Sequence, residues 1–148
     1  MPETKIPALF ELFNEIGIIA QLSRASFEAR LPNGILLTHF SVLNHLVRVG
    51  DGPTPLNLSR AFQVPKTSMT HTLSGLEKAG FIVLRPHEKD GRSKRVFITD
   101  EGRAFRESAI GLLAPDMAML ASHLDMDALV GVIPHLRTLR EYLDKARD

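Results

Sequence analysis

The 148-residue chain has no cysteine, no tryptophan and a single tyrosine. Without cysteine there can be no disulfide, no thiolate metal site and no thiol redox sensing. It has no run of 18 or more apolar residues, so no membrane span is expected. The N-terminus, Met1-Pro2-Glu3-Thr4-Lys5, lacks a basic stretch followed by an apolar segment, so secretion is not expected and a cytoplasmic location fits. Catalytic signatures are missing too: there is no Gly-x-Ser-x-Gly elbow, no P-loop and no Gly-rich dinucleotide fingerprint. The expectation is a protein that is not an enzyme, with no catalytic residues and no cofactor.

What is present reads as an ordinary folded chain, 44% hydrophobic and 24% charged. The formal net charge of +1 hides an asymmetry. Residues 60–95 hold eight Lys/Arg against three acids, net +5, while the remainder holds ten against fourteen, net −4. A basic patch on an acidic body suggests a polyanion footprint. A chance cluster on a solvated face would give the same imbalance, so the patterning around it has to decide.

The run Val64 to Gly80 has helical periodicity. Met69, Leu73, Leu76 and Gly80 fall on one stripe, and Thr67, Thr70, His71, Ser74 and Lys78 lie opposite, with Lys66 at the margin. A short helix, Leu58 to Phe62, and a turn, Gln63-Val64-Pro65, precede it, with Pro65 suited to the first helical position. These are helix-turn-helix proportions. Such a motif needs small donors at the start of its second helix, where base edges and phosphate are met in the major groove. Lys66, Thr67, Ser68, Thr70, His71 and Ser74 are the candidate recognition residues. Ser and Thr at a helix start also suit plain capping. The next stretch favours the first reading: strand-like Phe81–Arg85 and Arg95–Thr99 flank a long cationic tip, Pro86–Lys94. There Lys89, Asp90, Arg92, Lys94 and Arg95 are the candidate wing residues, their cations placed for phosphate or a minor groove. Thr99 is the expected N-cap of the following helix, with Glu101 at its positive end.

Helices are expected on both sides. Ile6 to about Arg30 carries a wide apolar stripe and would reach nearly 40 Å at about 1.5 Å per residue, longer than a small domain needs. Thr38 is the expected N-cap of a second helix, His39 to about Val49, and Gly50–Pro53 a loop. Arg103–Leu113, Met117–Leu124 and Met126 to about Ala146 complete the set, with Pro115 kinking or ending the first and Pro134 bending the last. Met69, Met117, Met119 and Met126 read as core filler. The fold class predicted is mainly α with minor β: a winged helix-turn-helix, 36–103, between dimerisation helices, 1–35 and 104–148. The terminal helices offer more apolar surface than a monomer usually exposes, which points to a symmetric homodimer.

Val64 to Gly80, Leu76-Glu77-Lys78-Ala79-Gly80-Phe81-Ile82, and Asp90-Gly91-Arg92 leading to Phe97-Ile98-Thr99-Asp100-Glu101-Gly102 resemble the MarR family of transcriptional regulators. Ile98 stands for the family's usual Leu, Pro65 for a frequent capping Ser, and His71 for a frequent Arg, whose two-pronged donor imidazole does not copy. The resemblance implies a homodimer that places two recognition helices in successive major grooves of a pseudo-palindromic operator. It also implies a ligand-responsive repressor. The effector would be a small, often phenolic or anionic molecule, bound between the first and second helices and the dimer helices.

Two other readings compete: a winged helix that meets an acidic protein rather than DNA, and a metal-responsive regulator. His39 and His45 lie about 240° apart around a helix and do not converge. His123, Asp125 and Asp127 form a polar cluster better explained by a helix cap than by a metal. No metal site is therefore expected.

Overall fold

A computed structural model of the protein describes residues 2–89 and 91–147, with side chains from Lys5 onward except that of Asp90. The elements are α1 (Pro2–Arg30), α2 (Leu37–Arg48), α3 (Pro55–Phe62), α4 (Lys66–Lys78), β1 (Ile82–Pro86), β2 (Lys94–Ile98), α5 (Asp100–His123) and α6 (Met126–Arg147). This is the mainly helical winged helix-turn-helix expected. The chain divides into two compact units, residues 1–113 and 114–148.

In the first unit the inward stripes of three helices meet the hairpin. Val42, Leu43 and Leu46 of α2, Leu58 of α3, Met69, Leu73 and Leu76 of α4, and Ile82, Val96 and Ile98 of the hairpin make one core. Leu43, Leu58 and Leu76 are fully buried; each such side chain contributes about 1.5–3 kcal/mol relative to exposure. Phe81 and Phe105 stack at 4.6 Å and join α5 to the hairpin.

The ends of the helices refine the sequence reading. α2 starts at Leu37, so Thr38 lies inside it. The cap there is supplied from elsewhere: His39 Nδ1 accepts the Leu36 N–H at 2.9 Å, and Glu28 of α1 accepts that of Leu37 at 3.0 Å. α3 starts earlier than expected, because Thr54 and Asn57 cap each other reciprocally at 3.0 and 3.1 Å. Pro65 occupies the N-cap position of α4 rather than its first turn. Gly80 lies beyond the helix at φ 80°, a left-handed C-terminal position rather than part of the stripe. Pro115 neither ends nor splits α5, which runs unbroken to His123.

Thr99 is the N-cap of α5: its Oγ1 accepts the Gly102 N–H at 3.0 Å and donates to the Gly80 carbonyl at 2.7 Å. The close docking that follows leaves no room at Gly102, where a Cβ would fall 2.2 Å from the Phe81 carbonyl oxygen. Gly102→Ala is accordingly expected to destabilise the fold by about 1–3 kcal/mol, the usual range for overpacking against a rigid neighbour. Thermal melting of the variant checks this.

Much apolar surface stays open. On α1, Phe10 is 73%, Ile19 59% and Leu22 66% exposed. Among the described residues α6 buries none, and its stripe of Leu129, Val132, Ile133, Leu136 and Leu143 is exposed throughout. Met69 is core, but Met117, Met119 and Met126 are 39%, 61% and 41% exposed, so the expectation that they fill a core fails within one chain. The segment Lys5–Arg30 is also long and apolar enough, at mean hydropathy 1.2, to cross a bilayer by length and composition alone.

Candidate nucleic-acid interface

The amphipathic split of α4 decides what faces outward. Met69, Leu73 and Leu76 point into the core, and Thr72 is buried with its hydroxyl donating to the Ser68 carbonyl at 3.1 Å. Lys66, Thr67, Ser68, Thr70, His71 and Ser74 are all exposed on one continuous face. Thr70 Oγ1 donates to the Lys66 carbonyl at 3.0 Å, which leaves its two lone pairs to accept from a partner. With proline at the N-cap, α4 has no side-chain cap. Its first N–H groups are therefore open to an outside acceptor such as phosphate.

The turn before α4 depends on one unusual residue. Gln63 takes a left-handed conformation at φ 55°, and the Gln63 and Val64 N–H groups return to the carbonyls of Arg60 and Ser59 at 3.2 and 3.0 Å. This closes α3 as a C-cap motif and redirects the chain into α4.

Behind α4 stands the wing. β1 and β2 pair antiparallel from Ile82 opposite Ile98 to Pro86 opposite Lys94, and the His87 N–H bonds Ser93 beyond the last pair. Lys89, Arg92 and Lys94 are exposed at or near the tip. Asp90 lies outside the described residues. Arg95 behaves differently from the other cations. Its Nε donates to the Gly52 carbonyl at 2.9 Å, its Nη1 pairs with Glu88 at 3.4 Å, and its guanidinium lies 5.5 Å from the centre of the Phe97 ring. Arg95 thus ties the wing to the loop after α2.

That loop was expected from the sequence, but its tie to the wing was not. Residues 50–53 pair with β2 as a short third rung, the Gly52 N–H to Val96 at 2.8 Å and the Val96 N–H to Pro53 at 2.9 Å. Asp51 Oδ1 accepts the Ile98 N–H at 2.8 Å, and its other oxygen lies 3.9 Å from Arg103. Gly52 has φ 90°, and a Cβ there would collide with the Arg95 guanidinium. The Asp-Gly-Pro of this loop was the available signal, but it carries no mark of its partner strand.

α1, α2, α4 and the α3–α4 turn enclose a cavity of about 170 Å³, which Ser68 of the exposed face also lines. Leu37, Val42, Phe62, Val64 and Met69 make its apolar walls, and Arg24 brings one positive charge. The polar C-terminal cluster is taken up locally: Asp125 Oδ1 caps α6 through the Ala128 N–H at 3.1 Å, and His123 Nδ1 lies 2.9 Å from the Met119 carbonyl. Among the described residues no group of three or more His, Asp or Glu could share a metal ion.

This arrangement has known counterparts. Over 95% of this chain and 98% of the other, the structure is similar to the transcriptional regulator BldR from Sulfolobus solfataricus, with TM-score 0.79 and 24% identity. A mutant MarR from E. coli complexed with operator DNA matches over 89% of this chain and 95% of its own, with TM-score 0.76 and 23% identity. The PcaV transcriptional regulator from Streptomyces coelicolor, in complex with its natural ligand, matches over 85% and 89%, with TM-score 0.73 and 17% identity. At these identities the likeness is one of fold. Residues 33–93, which run from the end of α1 into the wing, match the family model described as the MarR family. Over these residues the winged helix-turn-helix of this chain is similar to that of the MarR family.

Proposed function

We propose that the protein binds double-stranded DNA as a homodimer and represses transcription from a pseudo-palindromic operator until a small effector releases it. One observation carries this reading above the others. Six polar or basic side chains of α4 (Lys66, Thr67, Ser68, Thr70, His71 and Ser74) are exposed together beside a wing that ends in Lys89, Arg92 and Lys94. Thr67, Thr70, His71 and Ser74 would meet base edges, Lys66 and the wing cations phosphate. Arg95 serves this reading best by holding the wing in place. A winged helix in a similar fold bound to operator DNA lends it support.

The dimer follows from the open apolar faces of α1 and α6, which a second copy would cover. In this arrangement residues 1–35 and 104–148 form the dimerisation part and 36–103 the DNA-binding part. The effector would enter the cavity beside α4, whose modest volume and single Arg24 suit a small anion with an apolar body. To release DNA it must prefer one arrangement of the recognition helices, since a ligand with equal affinity for both shifts nothing. The regulator reading places the protein in the cytoplasm, with no catalytic role.

Binding to a labelled duplex from upstream of its own gene, followed by fluorescence anisotropy between about 50 and about 200 mM salt, tests the reading. The logarithm of affinity should fall linearly with that of salt, by about 0.9 per phosphate contact. Absence of salt-sensitive binding would make the proposal wrong.

A further inference from the structure

His39 sits where three elements of the first unit meet. Its ring is buried, 8% exposed, and its Nδ1 accepts the Leu36 N–H at 2.9 Å at the start of α2. Its Nε2 lies against Gly75 of α4, where a Cβ would stand only 2.9 Å away. Glycine at 75 is thus what lets the ring lie between α2 and α4. One turn before Gly75, α4 carries His71. From α1, Glu28 accepts the Leu37 N–H at 3.0 Å and lies 3.8 Å from Arg24. The start of α2 is therefore capped by an imidazole and a carboxylate, with no hydroxyl involved. An accepting Nδ1 puts the ring proton on Nε2, so the ring is a neutral imidazole.

We propose that His39 is a proton-controlled positioning residue for α4: neutral, it closes the α1–α2 joint and seats the recognition helix; protonated, it leaves the joint and releases that seat. The proposal rests on the DNA-binding reading for its consequence, though not for its chemistry. A second proton would go to Nδ1 and face the Leu36 N–H donor to donor. It would also place a positive charge at the N-terminus of α2, where the helix dipole disfavours it. Glu28, whose Oε1 accepts the Leu37 N–H, is the nearby carboxylate that opposes this.

The groups facing the ring agree with this balance. Burial holds His39 below its ordinary value of 6.5, His71 adds to that, and Glu28 opposes it. Because the fold favours the neutral form, the stability this ring contributes is present above its ordinary value. It is lost as pH falls through the lowered one. His45 is lowered in the same sense, by burial and then by Arg48, and so adds a background acid loss away from α4. His71 is exposed on the face proposed to meet phosphate and is common to the wild type and the variants below.

His39→Gln separates these effects, since glutamine at this helix position can still accept from the N-cap N–H and does not titrate. Duplex affinity and thermal midpoint are measured from about pH 8 to about pH 5.5, the range in which imidazoles titrate. The wild type is expected to lose affinity several-fold on acidification and to lose thermal midpoint. H39Q should keep its affinity and should lose less midpoint. Gly75→Ala, which pushes the ring out of its slot, should show the weakened binding of the acidic wild type already at neutral pH. Equal acid losses of midpoint in wild type and H39Q would overturn the proposal. If no variant bound DNA at any pH, the regulator reading would fall, and the midpoints alone would still decide the role of His39.

Discussion

A variant with Arg92 and Lys94 both replaced by alanine is expected to bind duplex DNA about ten- to a hundredfold more weakly at moderate salt, with its fold and oligomeric state unchanged. Both side chains are exposed on the wing and neither belongs to the core, so their removal leaves the packing intact. Each phosphate contact contributes about 0.9 to the salt slope, so losing two should flatten it by nearly 2. The loss should be similar for all duplex sequences, because phosphate contacts carry no base information. Arg95→Ala should behave differently. It would release the Gly52 loop from the wing, break the Glu88 pair within the wing and lower the thermal midpoint as well as the affinity. Anisotropy and melting on the same preparations distinguish the two outcomes. Wild-type binding by the double variant would remove the wing from the interface.

Charging the apolar faces of the terminal helices should have the largest effect. Leu22 on α1 is 66% exposed and Leu136 on α6 38% exposed, so Leu→Glu at both disturbs little within one chain. If a second copy covers these faces, the change buries unpaired carboxylates there, and the dimer should dissociate. Light scattering would then report a monomer. Duplex affinity should fall by about 10²–10⁴-fold, the usual gain when two linked modules engage one ligand. A variant that remains dimeric would place the interface elsewhere. Detergent-dependent solubility of the wild type, in contrast, would favour the bilayer that Lys5–Arg30 is long enough to cross.

How far the chain could be read in advance differs element by element. The stripe of Met69, Leu73 and Leu76 and the opposed polar face of α4 were legible because helical periodicity is a local property. The cap at Thr99 was legible for the same reason, since a hydroxyl and the N–H three residues on are set by local geometry. Thr38 misled because the start of α2 is capped by Glu28, nine residues back, and by His39 from within. Of the two outcomes expected at Pro115, ending the helix did not occur, because the flanking turns hold α5 together through it. The methionines of α5 and α6 were assigned to a core because periodicity reports an apolar face without saying what covers it.

The wing shows the same division. Its strands, its cationic tip and the polar face of α4 were determined by the sequence itself, through alternation, charge and spacing that act within a few residues. Only the tertiary structure decided that Arg95 binds Gly52, 43 residues away, and that Asp51 holds Ile98 across 47. It alone placed His39 against Gly75, and so joined α2 to α4 at a single titratable ring. Each of these pairings brings together residues whose local patterns are unremarked on their own. The energy that selects them is the burial of one core shared by all the elements, and no short window of sequence contains it.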